Sequence, residues 1–433
     1  MVLPLDSGSP PGARVGQPQS AIPRQFARTE SSARLGPSAG PAPRRPEPAE
    51  SHLVKQSFTR LMFDSGQAME YLFARLFTAS PELRSLYPLA MTQTRTAVFE
   101  ALARLVWSID DAAATERALG QLARDHRKFG VRESHFAPFF DAVLATARHY
   151  LGRQWSAEVC AAWESVLGYF SAVLAAALRA DQKEGPAWWT GEVVQHDRRA
   201  DTIAVLSIRP DKPLSYQPGQ YIAVQASRWP RIWRHYSVAN APRENGLIDI
   251  HVRAVPGGLV STALVGHCRT GDMLTIGAAR GGLRVVEDQG RDLVGIAGGT
   301  GLAPIKAITE AVVGASGHGR RREVTLYLGV RHRKDLYDMR DLETLALAYP
   351  SLTLIPVAER EPDFDGRVGR LPDVVAMHPS YRDCDVYVAG PAGLVSATVS
   401  ALASRVPAGR LHHDPVDLLE QAQRPGRVDL PGR

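Results

Sequence analysis

The stretch Leu293 to Pro304, LVGIAGGTGLAP, constrains the fold more than any other. Leu293 to Ala297 is an apolar run of strand length. Gly298, Gly299 and Gly301 remove side chains where a backbone turns tightly and approaches a ligand. Pro304 suits the first turn of a helix, because its missing N–H has no intrahelical partner there. Free N–H groups at such a helix end favour a phosphate. Gly298, Gly299, Thr300, Gly301 and Pro304 are therefore candidate nucleotide contacts. The turn departs from G-x-G-x-x-G by ending in proline, and a plain strand-to-helix connection can look the same. Its surroundings decide between the two.

Those surroundings are α/β. Val324–Leu328, Leu352–Val357 and Val386–Ala389 are further apolar runs that alternate with helical segments, the pattern of a parallel sheet. Gly390-Pro391-Ala-Gly393 follows the last run, and ligands of open sheets bind at the C-terminal ends of strands. Gly390 and Pro391 join the candidate contacts. Arg331 and Arg333 follow the second run. They either pair a 2′-phosphate, which favours NADPH, or are solvated surface charges. Residues 291–420 form one domain on this reading, and 433 residues are too many for one core.

Residues 51–183 have helical spacing instead. Phe99, Leu102, Leu105, Val106 and Ile109 recur at three and four, as do Phe140, Val143, Leu144, Ala147 and Leu151. There is no strand signal, so this domain is all-α and about globin-sized. His126 shares a face with Leu119, Leu122 and Phe129. A histidine in an apolar stripe is either a satisfied core residue or an axial haem ligand, since neutral imidazole binds iron well. Residues 181–190 mix polar residues with a Gly-Pro break and mark a boundary.

Over residues 184–290 the period switches to short strands with turn residues between them, the pattern of a small antiparallel barrel. Three motifs stand in it: Pro218-Gly-Gln-Tyr221, Arg234-His235-Tyr236-Ser237 and Pro256-Gly257-Gly258-Leu-Val-Ser261. Tyr236 can stack on an isoalloxazine ring, and the Ser237 hydroxyl can hydrogen-bond its edge. Arg234 can clamp a pyrophosphate. Gly257 and Gly258 let backbone N–H groups near phosphate, with Ser261 opening a helix beside it. Singly, each is also an ordinary barrel tyrosine, turn serine or surface arginine.

Composition removes other classes. Residues 1–50 are rich in Pro, Ser, Gly, Ala and Arg, too poor in large apolar residues to offset ordering entropy, and are expected to be a disordered tail. Residues 421–433 are expected to be loose. No apolar run is seen to approach the roughly 20 residues of a membrane helix, and no signal-peptide core is evident. The 3 cysteines are far apart, which argues against a disulfide framework and suits a reducing cytoplasm. A formal net charge of +6 without a basic stripe gives no expectation of nucleic-acid binding.

Taken in order, Phe73-Ala-Arg-Leu-Phe-Thr-Ala-Ser-Pro, Phe99-Glu-Ala-Leu, His126 and Trp163 closely resemble the globin domain of flavohaemoglobins, and the three barrel motifs with the two glycine turns resemble the flavin and nicotinamide modules of ferredoxin-type reductases. The order covers about residues 52–415. The resemblance implies His126 as proximal ligand of haem b, FAD on Tyr221, Arg234, His235, Tyr236, Ser237, Gly257, Gly258 and Ser261, and NAD(P)H on the glycine turns. It also exposes departures. Phe73 stands where the family has a distal tyrosine, Tyr87 where globins have phenylalanine, Thr94 for glutamine and Val98 for leucine. Tyr87 is either a substitute distal donor or a core aromatic. Phe136 replaces a proximal tyrosine, and Asp181 lies beside the place of a missing glutamate. The resemblance thus implies a histidine without its usual partners, pushing less electron density to iron. Ala389 replaces a cysteine, and His413, Asp414 and Val416 replace a tyrosine, a glutamate and an aromatic beside the flavin.

The expected function is electron transfer from NAD(P)H through FAD to haem iron, with oxidation of nitric oxide by oxygen to nitrate. Two other readings stay open: a reductase with another acceptor, and a globin that senses oxygen or redox state and gates the reductase. The expected partners are small molecules: oxygen, nitric oxide and NAD(P)H.

Overall fold

The computed structural model describes residues 44–286, 290–315 and 322–414. Most of the expected N-terminal tail, the expected loose end and Val416 lie outside those residues. Helix α1 (Pro48–Met62) begins inside the stretch read as tail. Proline at its first turn and the Glu47 N–H donating to Glu50 Oε2 at 2.7 Å fix that start.

The first domain continues with α2 (Ser65–Ala79), α3 (Thr92–Ser108), α4 (Ala112–Arg127), α5 (Phe136–Leu151) and α6 (Ala157–Glu184). Large apolar residues at helical spacing meet in one core, with Leu72 and Leu76 from α2, Leu119 from α4, and Trp163, Leu167 and Phe170 from α6 all buried. One expectation is corrected. By length and composition α6 is apolar enough to cross a membrane. Alanines between its large residues raise its mean hydropathy, and it is the central helix of this core. Gly185, at φ 152°, ends it.

The second domain is a six-stranded antiparallel sheet of β1 (Trp189–Ala200), β2 (Ile203–Pro210), β3 (Tyr221–Ala226), β4 (Arg234–Ser237), β5 (Ile248–Arg253) and β6 (Met273–Ile276), with α7 (Leu259–Gly266) between the last two. The order is β4-β3-β6-β1-β2-β5. A bridge between Val238 and Ile250 joins the two ends, so the sheet closes nearly into a barrel.

The third domain comprises β7 (Asp292–Gly298), α8 (Leu302–Val313), β8 (Val324–Val330), α9 (Met339–Ala348), β9 (Leu352–Ala358), β10 (Arg367–Val368), α10 (Leu371–Ala376), β11 (Cys384–Ala389), α11 (Ala392–Leu402) and β12 (Leu411–His413). Its sheet is parallel in the order β10-β9-β8-β7-β11-β12. Chain order reverses between β7 and β11, which makes the gap above them the topological switch point where such sheets bind ligands.

Candidate functional site

The geometry starts from α4. Asp111 caps it, accepting from the Ala114 N–H at 2.9 Å, and His126 falls in its last turn. The His126 Nδ1–H donates to the Leu122 carbonyl one turn back, at 2.7 Å. A carbonyl only accepts, so the proton is on Nδ1 and the Nε2 lone pair is left without a partner among the described residues. Burial lowers the imidazole pKa, which keeps the ring neutral. This corrects the expectation of a histidine with no partner on its other nitrogen. The partner is a backbone carbonyl, invisible in side-chain motifs. Phe136 is buried in the core. Asp181 belongs elsewhere, taking the Arg127 guanidinium at 2.7 Å and Arg280 at 3.5 Å.

Phe73 is only 3% exposed and meets the edge of Tyr87 at 5.3 Å. Tyr87 also packs edge-on against Phe77. Its hydroxyl has no hydrogen bond among the described residues, and burial pushes the phenol up to about 12. Thr94 and Val98 lie one turn apart on α3, both half-buried.

In the barrel, the register of β3 on β4 opposes Tyr221 to Ser237 and Ala223 to His235. The Tyr221 and His235 rings are 4.8 Å apart. Arg234 and Tyr236 alternate to the other face, where Tyr236 packs on the barrel core. Gly257 has φ 74°, a conformation that suits glycine at a phosphate turn. The Ser261 hydroxyl is engaged within its own loop, accepting from Val255 N–H at 3.2 Å and donating to the Gly258 carbonyl at 3.4 Å. A cleft between barrel and globin is lined by Arg124, Asp125, Lys128, Asp181, His235 and Arg280. Desolvation in the cleft and the Lys128 ammonium lower the His235 pKa, although the residue as a whole is exposed.

The two glycine turns abut at the switch point. A Cβ on Gly301 would stand 2.5 Å from backbone atoms of Ala389 and Gly390, and one on Gly298 would strike Leu394. Thr300 lies in the short helical turn between them, and Pro304 is buried in the first turn of α8. Pro391 precedes α11. Asp414 follows β12, with its pKa raised by desolvation and its charge felt by Tyr221. Arg331 is exposed. Arg333 is engaged by Asp365 at 3.2 Å and Glu361 at 3.5 Å.

Several residues escaped the sequence. Arg253 Nη2 lies 3.0 Å from where a Gly299 Cβ would be, so a barrel cation overhangs the first glycine turn. Around it side-chain contacts gather within the third domain and between it and the barrel. Lys306 Nζ meets Asp338 at 2.7 Å, Arg199 meets Asp341 at 2.8 Å, and His251 and Tyr337 share a hydrogen bond of 2.7 Å. These residues lie on elements far apart in the chain, and no local pattern marks them. Among the described residues no group of three or more His, Cys, Asp or Glu side chains could hold a metal ion.

An apolar-walled histidine with a free Nε2 fits haem. A near-closed barrel with a basic and aromatic β4 fits FAD. A cradle that any Cβ would fill, under an arginine, fits a dinucleotide phosphate. Family models agree: Globin matches residues 70–174, Oxidoreductase FAD-binding domain 192–284 and Oxidoreductase NAD-binding domain 296–400. Fold and site define a globin joined to an NAD(P)H-dependent flavin oxidoreductase.

The chain is 27% identical over 370 residues to a flavohemoprotein of Bordetella pertussis, covering 78% of this chain and 90% of that one. The crystal structure of a flavohemoglobin from Malassezia yamatoensis, with bound FAD and heme, superposes with TM-score 0.68 at 16% identity, over 85% of this chain and 98% of that one. In domain content, domain order and fold the chain is similar to the flavohaemoglobins. Its reductase half is 33% identical over 214 residues to the xylene/toluene monooxygenase electron transfer component of Pseudomonas putida, 48% of this chain and 60% of that one. The chain spans less than two thirds of that relative's length.

Proposed function

We propose that the chain carries electrons from NAD(P)H through FAD to haem iron on His126, and that the haem domain oxidises nitric oxide with oxygen to nitrate. The observation that carries this reading is the Nδ1 hydrogen bond of His126 to Leu122, because it fixes the tautomer with Nε2 free for iron. When bound, these groups supply hydride acceptance, release of single electrons and oxygen binding. The chain supplies the rest. The abutting turns at Gly301 and Gly390 seat the pyrophosphate, and Arg253 neutralises it. Arg234 holds the flavin phosphates, and Tyr221 and Ser237 flank the ring. Asp414, held with a raised pKa, is the acid at the flavin edge. Tyr87, a phenol without an acceptor among the described residues, takes over from the distal donor lost at Phe73.

The decisive experiment measures nitric oxide consumption by the FAD- and haem-loaded protein with NADH and oxygen, with nitrate as product. A second reading keeps the electron path and changes the acceptor. It is favoured by Phe73 and Phe136, which put buried apolar rings where the family has a distal and a proximal hydroxyl. Anaerobic reduction of both cofactors without nitric oxide turnover selects it.

A further inference from the structure

The barrel segment from Ser227 to Trp233 leads directly into β4, the strand of Arg234 to Ser237. Its side chains divide between two faces. Trp229 and Ile232 pack onto the barrel core. Arg231 and Trp233 reach the globin. Arg231 Nη1 donates to the carbonyl oxygen of Tyr87 at 3.1 Å. The Trp233 indole stands edge-on to Phe129, with centroids 6.2 Å apart at 87°. Phe129 stands edge-on in turn to His126, at 5.8 Å and 63°. Edge-to-face pairs of this kind are preferred aromatic geometries.

The segment is held, not merely apposed. Arg231 has φ 68°, the one non-glycine residue at positive φ among those described, and its N–H donates to Gln225 Oε1 at 2.5 Å. A bulky residue keeps that conformation only where its surroundings over-determine it. From the globin side, the Lys128 ammonium lies 5.4 Å over the Phe129 ring, and its stem reaches 3.5 Å from where a Gly277 Cβ would stand on the barrel. Phe129 is therefore touched by the proximal histidine, by a barrel tryptophan and by a lysine that spans the two domains.

We propose that Phe129 and Trp233 form the joint that fixes the flavin strand against His126, so that single electrons cross from reduced flavin to ferric haem iron over a set distance. The proposal rests on the electron path given above. Each NAD(P)H delivers a hydride, that is two electrons and one proton. The electrons cross one at a time, each converting one ferric iron to ferrous, and the proton leaves to solvent. Phe129 and Trp233 undergo no net oxidation. They are positioning residues: they exclude water between the domains and hold the end of α4 in register with β4.

The test uses the full chain loaded with FAD and haem, mixed rapidly with NADH without oxygen, with flavin bleaching and iron reduction followed at separate wavelengths. In Trp233→Ala and Phe129→Leu the flavin is reduced at the wild-type rate, while iron reduction slows by about tenfold or more. Trp233→Phe restores an aromatic edge and recovers iron reduction to within about twofold of wild type. A second readout needs no cofactor: amide exchange in the His126–Phe129 segment of the haem-free protein quickens in Trp233→Ala and not in Trp233→Phe. Wild-type iron reduction in Trp233→Ala at unchanged cofactor content overturns the joint and leaves the electron path standing. So does slowing that Trp233→Phe fails to recover. A wild-type protein that reduces its flavin but never its iron overturns the electron path, and the joint with it.

Discussion

His126 Nδ1 lies 2.7 Å from the carbonyl oxygen of Leu122, one turn earlier on the same helix. The contact orients a neutral imidazole and leaves Nε2 free, as a haem ligand requires. His126→Ala is therefore expected to purify without haem absorbance, while it keeps bound FAD and its reduction by NAD(P)H. Normal haem bands in that variant would remove His126 as the ligand.

Gly301 has no room for a side chain, since its Cβ would meet Ala389 and Gly390 backbone at 2.5 Å. Overpacking against backbone costs about 1–3 kcal/mol. Gly301→Ala is expected to lower the melting temperature slightly and weaken NAD(P)H binding. Gly301→Asp adds a like charge to the phosphate and is expected to block flavin reduction with FAD still bound. Unchanged reduction kinetics in the aspartate variant would show that the nucleotide binds elsewhere.

Of the two arginines after β8, Arg333 is paired with Glu361 and Asp365, which leaves exposed Arg331 for a 2′-phosphate. The protein is expected to prefer NADH. Glu361→Gln with Asp365→Asn frees a guanidinium and is expected to improve kcat/KM for NADPH by about tenfold, the worth of one charge-assisted hydrogen bond. Equal use of both nucleotides by the wild type would refute the assignment.

Phe73 cannot hydrogen-bond oxygen, and Phe136 cannot polarise His126 through a hydroxyl. A hydrogen bond to a charged group is worth about 1.5–3 kcal/mol, or roughly 10- to 150-fold. Phe73→Tyr with Phe136→Tyr is expected to slow oxygen dissociation and speed NADH-driven nitric oxide consumption. If the wild type matches the double variant in both, Tyr87 is the donor, and Tyr87→Phe in the wild-type background is expected to lose oxygen faster.

Asp414 has a raised pKa, caused first by desolvation. A carboxyl whose folded pKa exceeds its unfolded one gives stability below the ordinary carboxylate range and loses it as pH rises through the folded value. Asp414→Asn is expected to gain stability relative to wild type at pH 8 and to lose that advantage at pH 4. Parallel melting curves at both pH values would show that this carboxyl stays solvated.

The three-domain order was legible in the chain because each architecture imposes its own period: three and four for the helices, two for the barrel, and short apolar runs closed by glycine turns for the sheet. The barrel motif and the glycine turns were legible for a related reason. Their residues are contiguous, so β4 and the turn after β7 could be located without any tertiary contact. His126 could be singled out as a candidate, but sequence spacing left it open between core residue and ligand.

The hydrogen bond that leaves Nε2 of His126 free runs to backbone, and a backbone carbonyl has the same formula at every position. No local pattern marks Arg253 above Gly299, the Lys306–Asp338 and His251–Tyr337 contacts, or Trp233 against Phe129 either. Each joins residues distant in the chain, Lys306 and Asp338 within the third domain and the others between two domains. The amino-acid order determined which domains form and where their local motifs lie. The tertiary structure decided which arginines are paired with carboxylates and how the barrel is held against the globin, because those outcomes depend on distances that no local pattern encodes.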